Sequence, residues 1–445
     1  MRRAFFIGAL SLMGVWLTGV PAFGQSQAAP SIPDARDHAR KDDHGRRKPP
    51  PPGRSGIDRI VLVMMENRSF DHFLGWLPNA DGMQAGLTYV DGQGVANDTM
   101  ALAPDYMGCT HPDPDHSWTG GRVEYAGGAM DGWLLAGAND TYAIGYYVEA
   151  DRPFSNALAR SFTTCDRFFA SIMAETFPNR FFQHAAQTDR LTNTLDLSTL
   201  PTIWDRLAEA GVSATYYFSD VPFLLLWGTK YVPIMRTYNE FLADAAAGTL
   251  PSVAFVDPRF IDDASGTSGS DHPHADIRVG DAFLSDTFHA VANSPNWPNT
   301  VFIATYDEWG GFFDHIAPPR AAAPNDVDPD LVDGRALLGM RVPVVVASPF
   351  THGDPNNPRV VSDTFDHTSV LKLIEWRWRL RPLTPRDASQ DVGNLLSVLD
   401  FAQPDTSVPA LPDPVPPLVA PCPPTLQSAA AGELPLSAIR SLQPQ

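Results

Sequence analysis

The chain is short of cysteine (Cys 3) and short of positive charge, with Lys+Arg 32 against Asp+Glu 51. Three cysteines cannot build a disulfide scaffold, and none stands at metal-site spacing. The formal charge of −19 argues against nucleic acid as a partner, since that needs a cationic surface. It does not exclude a local cationic or metal-bearing cleft for an anionic substrate. No apolar stretch beyond residue 24 is long enough to span a bilayer, and no internal repeat is visible. What is present suits a globular protein: 44% hydrophobic and 10% aromatic residues over 445 positions. That length fits two or three domains, or one large α/β domain. Gly 33 and Pro 42 indicate many turns and long loops.

Residues 1–24 read as an export signal. Arg2 and Arg3 precede a mostly apolar run from Ala4 to Val20, and Ala22-Phe23-Gly24 resembles a small-residue cleavage site. A membrane anchor is the rival reading, but the run is barely long enough for one. The paired arginines also resemble a twin-arginine signal. With the signal removed no stable membrane span is expected, which places the protein in the periplasm or outside the cell. Residues 25–56 form a linker carrying Arg46-Arg47-Lys48 and then Pro49 to Pro52. Residues 404–445 form a Pro-rich tail, part of it expected to pack along the surface. The folded body is residues 57–403. For the three cysteines, one bridge in an oxidising compartment is expected to join Cys109 and Cys165.

Ile60 to Met65 is a continuous apolar run, the pattern of a strand buried on both faces of a parallel sheet. It stops at Glu66-Asn67. Thr300 to Tyr306 repeats the design and stops at Asp307-Glu308, before Gly310-Gly311. Val253 to Val256 ends at Asp257, and Val342 to Ala347 ends at Ser348-Pro349. Helix-like stretches lie at Ile203–Ala210, Ile277–Asn293 and Thr368–Leu380. Strands alternating with amphipathic helices predict an α/β layered fold, a sandwich around a mainly parallel central sheet. Ligands in such sheets bind beyond the carboxyl ends of the strands. A single acid there is commonly a helix cap. Two strands ending in Glu-Asn and Asp-Glu place like charges together, which repel unless a cation or proton separates them. A divalent metal held by Glu66, Asn67, Asp307 and Glu308 resolves that cost, and these are hard oxygen ligands.

Glu175-Thr176-Phe177-Pro178 leads into a helix, with Pro178 in its first turn. Thr176 is then either a simple cap or a hydroxyl presented where free backbone N–H groups favour phosphate. A neighbouring metal would make that hydroxyl a nucleophile. Histidines fall in polar contexts: His116 after Asp113-Pro114-Asp115, His272 after Asp271, His315 after Asp314, and His367 after Asp366. A carboxylate beside histidine orients it or keeps it protonated, which suits phosphate binding or leaving-group protonation. His116 and His272 carry that reading, whereas His367 reads as a cap for the helix it opens.

These residues resemble the bacterial phosphoesterase family that includes secreted phospholipases C and a related acid phosphatase. The matching blocks are IVLVMMENRSFDHFLG (60–75), DPDHSW (113–118), ETFPNRFFQH (175–184) and DHP (271–273). They continue with TYDEWGGFFDHIAPP (305–319), LGMRVPVVVASPF (338–350) and DHTSVLKLIE (366–375), in family order through nearly the whole body. The resemblance implies an alkaline-phosphatase-like α/β/α fold and metal-assisted phosphoester hydrolysis. It makes Glu66, Asn67, Asp307 and Glu308 the ligands of one divalent metal ion, with Thr176 as nucleophile and fifth ligand. It sets His116, His272 and His315 near the phosphate. Oxygen-rich ligands fit calcium, magnesium or manganese, and zinc also accepts carboxylates. Threonine at position 176 looks like the phospholipase branch rather than the serine-bearing acid phosphatase. The larger phospholipases C of the family carry a C-terminal region of β-domains, where this chain has its Pro-rich tail, so lipid specificity stays open. Trp76, Trp118, Trp133 and Trp309 are expected in the core rather than as walls of a choline pocket.

The expected function is therefore an exported metal-dependent phosphoesterase of the phospholipase C type, hydrolysing a phosphate ester, such as a phospholipid, through a phospho-threonine intermediate. An acid phosphatase acting on phosphomonoesters is the alternative within that class. A sulfatase fits less well, because no cysteine sits in a formylglycine context. A non-catalytic exported protein that binds metal or phosphate is the alternative of another class, and pure binding needs no aligned hydroxyl.

Overall fold

The two apolar runs that end in acids form the two longest strands of an eight-stranded sheet, each seven residues long. The computed structural model describes residues 48–261, 263–423 and 436–442, so the expected export signal and most of the expected linker lie outside the described residues. All of these but Lys48 belong to one compact unit, Pro49–Gln445. In chain order the sheet strands are β1 (Arg59–Met65), β2 (Thr163–Cys165), β3 (Ala214–Phe218), β4 (Met235–Thr237), β5 (Val253–Asp257), β6 (Thr300–Tyr306), β7 (Val345–Ala347) and β8 (Arg359–Val361). Their spatial order is β8-β2-β7-β6-β1-β5-β3-β4.

From β6 across to β4 every pairing is parallel. The main helices are α1 (Phe70–Leu74), α2 (Trp118–Tyr125), α3 (Pro153–Ser161), α4 (Thr176–Ala185), α5 (Ile203–Glu209), α6 (Tyr238–Ala247), α7 (Ile277–Ala292) and α8 (His367–Trp378). Helix α7 packs on α3 and α6, while α4 packs on α8 and α5. The sequence reading of an α/β layered fold around a mainly parallel sheet is what the structure shows. β6 is buried along its full length and β1 from Ile60 to Met65, as unalternating apolar runs require.

Two details differ from the sequence reading. The run at Val342 yields a strand only from Val345, because Pro343 has no N–H to give to a ladder. That strand runs antiparallel to both β6 and β2. The disulfide joins Cys109 to Cys422, not to Cys165. Cys165 is a buried free thiol on β2, a strand paired on both sides within the sheet. The described parts of the tail therefore pack on the body. Asp405 N–H donates to Pro349 O at 2.8 Å, and Leu436–Leu442 forms a short helix against Phe223–Trp227.

The β1–β6 register runs from Arg59 opposite Thr300 to Met65 opposite Tyr306. Both strands thus stop in step, and the residues that follow them are neighbours. Ile303, fully buried on β6, is part of the core holding this register. Replacing it with alanine should cost about 3 kcal/mol through lost burial and an unfilled cavity. Urea unfolding of Ile303→Ala checks this, and a change below about 1 kcal/mol would mean that the core relaxes around the gap.

Candidate active site

Beyond Met65 the backbone turns at Asn67, which takes a left-handed φ of 59°. Asn67 N–H donates to Asp307 Oδ1 at 3.0 Å, and Glu308 N–H donates to the same oxygen at 2.7 Å. Gly310, at φ 62°, allows the two turns to touch: a Cβ there would lie 2.3 Å from Asn67 O. Gly310 N–H in turn donates to Glu308 Oε2 at 2.6 Å. Glu66, Asn67, Asp307 and Glu308 are all buried.

Arg180 ties this edge together. Its Nε donates to Asp307 Oδ2 at 2.9 Å and its Nη1 to Asp257 Oδ1 at 3.3 Å. Its Nη2 reaches Met64 O and Met65 O at the end of β1, at 3.3 and 3.2 Å. The Arg180 guanidinium is thus shared between Asp307 and Asp257, at a sheet edge that also carries the buried carboxylates of Glu66 and Glu308. Burial raises the pKa of Glu66 well above its ordinary value, opposed by Arg180 and reinforced by Asp307. Burial likewise lifts Asp307, and carries Asp257 up to about 6 against the pull of Arg180. Such a donor set fits a divalent cation: it is rich in carboxylate oxygen, includes an amide oxygen, and is short of positive charge.

Thr176 opens α4 as its first helical residue, and Glu175 rather than Thr176 occupies the cap position. Thr176 Oγ1 donates to Asn67 Oδ1 at 3.4 Å. The start of α4 is clamped by Asn193, whose N–H donates to Glu175 Oε2 at 2.5 Å and whose Oδ1 accepts from Phe177 N–H at 2.7 Å. The Thr176 hydroxyl is thereby held at the acid cluster.

His116 and His272 close the other side, their ring centroids 6.2 Å apart. His116 Nδ1 donates to Pro114 O at 2.7 Å, which leaves Nε2 facing Asn67 Nδ2 at 3.2 Å and Glu308 Oε1 at 3.8 Å. The network so assigns the Asn67 amide: oxygen toward Thr176, nitrogen toward His116. His272 sits between two acids, with Nε2 3.7 Å from Asp113 Oδ2 and Nδ1 3.7 Å from Asp263 Oδ2. Burial disfavours its charged form, but the two carboxylates outweigh that and raise its pKa. One ligand-capable atom each from Asp113, His116 and His272 falls within 4.8 Å, so this trio could also hold a cation.

His315 is placed elsewhere. Its Nδ1 meets Asp71 Oδ2 at 2.5 Å, in a cluster with Asp314 that Arg341 bridges from 3.1 and 2.9 Å. Arg341 already offsets the charge of those acids. His367 does not cap α8; Asp366 does, accepting from Thr368 N–H. His367 Nε2 instead donates to Asp307 O at 2.6 Å and steadies that residue's backbone. Arg180, Asp113, Asp263 and Asn193 are parts of the site that sequence reasoning did not assign. The first two stand inside motif blocks already singled out, while nothing local marks Asp263 or Asn193.

The profile of the Phosphoesterase family matches residues 57–381. Phospholipase C A of Mycobacterium tuberculosis is 32% identical over 461 residues, spanning 87% of this chain and 84% of that protein. Non-specific phospholipase C6 of Arabidopsis thaliana is 30% identical over 372 residues, spanning 75% and 71%. Among solved structures, an alkaline phosphatase superfamily protein from Vibrio parahaemolyticus overlaps 77% of this chain and 70% of its own. That overlap has a TM-score of 0.39 at 10% identity, too distant to bear on chemistry.

A carboxyl whose folded pKa is raised contributes stability that is present below its unfolded pKa and lost as pH rises through the folded value. Asp257 does so between 3.8 and about 6, and Glu66 and Asp307 shift in the same direction. Chelated protein should therefore lose thermal midpoint to these groups as pH rises. A divalent cation should restore more at about pH 7 than at about pH 5, because its ligands must be ionised. Melting curves with chelator and with returned metal test this; a midpoint at pH 7 indifferent to every divalent metal rules the cation site out.

Proposed function

Because the chain belongs to the Phosphoesterase family, we propose that it is an exported, divalent-metal-dependent phosphoric ester hydrolase of the phospholipase C type, with Thr176 carrying the phosphoryl group between two half-reactions. The observation that supports this most is the Thr176 hydroxyl, aligned on Asn67 at the first turn of α4 and beside a buried carboxylate set. A binding protein has no use for such a hydroxyl. A cation held by Glu66, Asn67, Thr176, Asp307 and Glu308 would supply charge to offset the phosphoryl oxygens and to lower the hydroxyl pKa.

The chain's own groups do the rest. Thr176 Oγ, its proton released to solvent, forms a bond to phosphorus as the bond from phosphorus to the leaving alcohol oxygen breaks. His272, kept protonated between Asp113 and Asp263, gives its proton to that leaving oxygen. His116 holds Asn67 in register and faces the phosphoryl oxygens. Water then takes the place of Thr176 on phosphorus, giving one proton to the now neutral His272, and the departing Thr176 oxygen takes back a proton from solvent. Arg180 and His367 act as positioning residues by fixing Asp307. His315 belongs to the neighbouring Asp71 and Arg341 cluster in this scheme and supports the turn rather than the phosphate.

Export agrees with the Cys109–Cys422 disulfide, since such bridges persist in oxidising compartments. The names of the relatives favour phosphodiester lipids over monoesters as substrate.

Thr176→Ala should lower turnover by at least about a thousandfold while leaving the thermal midpoint within a few degrees. Near-normal turnover in that variant would remove Thr176 as nucleophile. Hydrolysis of a phosphatidylcholine vesicle and of a nitrophenyl phosphomonoester, before and after chelation, checks the rest. Metal-restored cleavage of the lipid is expected. Preference for the monoester would move the protein to the acid phosphatase branch, and no cleavage of either would favour metal or phosphate binding without turnover.

A further inference from the structure

Resting on that reading, we infer that the C-terminal segment is a positioning element of the active site, and that the Cys109–Cys422 disulfide holds the His272 loop in its working place.

The path of the segment carries the argument. Thr406 O accepts from Trp297 Nε1 at 3.0 Å, and Asp413 Oδ1 accepts from Ser285 Oγ on α7 at 3.1 Å. Val419 then lies against Gly266, where a Cβ would come within 2.7 Å of the Val419 side chain. Cys422 finally bonds to Cys109, with its Sγ 4.0 Å from His274 O. The segment thus runs back along α7 and ends on two loops. One loop, 105–116, delivers Asp113 and His116; the other, 263–274, delivers Asp263 and His272. They are joined by His274 N–H to Met107 O at 2.8 Å and His274 Nε2–H to His111 O at 3.1 Å.

The backbone around His272 needs such support. Asp271 and His274 both take left-handed φ values, 73° and 76°, which side-chain-bearing residues hold only when their surroundings impose them. The Asp271 end is imposed by Arg152 and Tyr306, whose side chains donate to Asp271 Oδ2 at 2.8 and 2.6 Å. At the His274 end the partners are loop 105–116 and the Cys422 sulfur. Severing the disulfide frees that end, and His272 then loses its fixed place between Asp113 and Asp263. The Glu66, Asn67, Asp307 and Glu308 cluster keeps its ties to β1, β6 and α4, while sharing with the two loops the Glu66 N–H bond to Ser270 O at 2.8 Å and the Asn67 contact to His116.

The test uses the full oxidised protein. Dithiothreitol supplies two electrons and two protons: the Sγ–Sγ bond breaks, Cys109 and Cys422 become thiols, and the reagent becomes its cyclic disulfide. Reduction should lower kcat/KM by about tenfold or more and weaken inhibition by inorganic phosphate in parallel, as displacement of a reacting group predicts. Bound metal should not change, and reoxidation should restore activity. Cys109→Ser/Cys422→Ser should begin at the reduced value and ignore the reagent, while Cys165→Ala should respond as wild type does. Far-UV circular dichroism and the thermal midpoint accompany each assay. Folded reduced protein within about twofold of the oxidised kcat/KM overturns the inference, as does a loss of activity that only tracks unfolding. An oxidised protein that hydrolyses nothing takes the functional reading and this inference down together; equal hydrolysis in both redox states removes only the inference.

Discussion

The rest of the structure depends on gathering four carboxylates out of water at one sheet edge, where a single guanidinium pairs with two of them. Glu66, Asp257, Asp307 and Glu308 come from the ends of three adjacent parallel strands, and Arg180 from the helix above them. Desolvation makes each charge costly, so the geometry must be exact enough for partners to compensate. That demand fixes more than the acids. Thr176 and Arg180 are four residues apart on α4 and therefore share one helix face. Anchoring Arg180 on Asp307 and Asp257 also turns Thr176 toward Asn67. One ion pair thus sets both the charge of the site and the aim of its hydroxyl.

The histidine side is built by another principle. Its residues ride on loops, not on strand ends, and their placement comes from backbone carbonyls and neighbouring acids. Pro114 O fixes the ring of His116, and Pro273 O accepts from His272 Nδ1 at 2.9 Å. Loops of this kind are held by contacts from elsewhere in the chain, which here include the C-terminal segment. The site therefore joins a rigid half, set by sheet register, to a half set by loop bracing.

The rigid half was legible in the sequence because it follows from local pattern. Unbroken apolar runs mark strands buried on both faces, and an acid pair at the end of each run marks the sheet edge. The in-step register of Met65 with Tyr306 turns those two local facts into one site. Pro178 likewise located the start of α4 to within one residue. What the sequence did not disclose depends on partners far apart in the chain. Cys422 pairs across a sequence separation of 313, and Asp263 meets His272 through the fold of a loop. His315 looks like His272 in sequence, each beside an aspartate, yet Arg341 claims its cluster. His367 stands at a helix start and reads as a cap, although the side chain that caps is its neighbour Asp366. Charge compensation by a distant arginine leaves no trace in spacing.

The order of the three cysteines has a consequence for how the protein matures. During synthesis Cys109 and Cys165 both emerge long before Cys422, so the first thiol that Cys109 can meet is the wrong one. Placing Cys165 on an interior strand, with burial pushing its thiol pKa up from 9.0, removes it from exchange once the sheet has formed. In the folded protein the sheet thus keeps Cys165 from competing with Cys422 for Cys109.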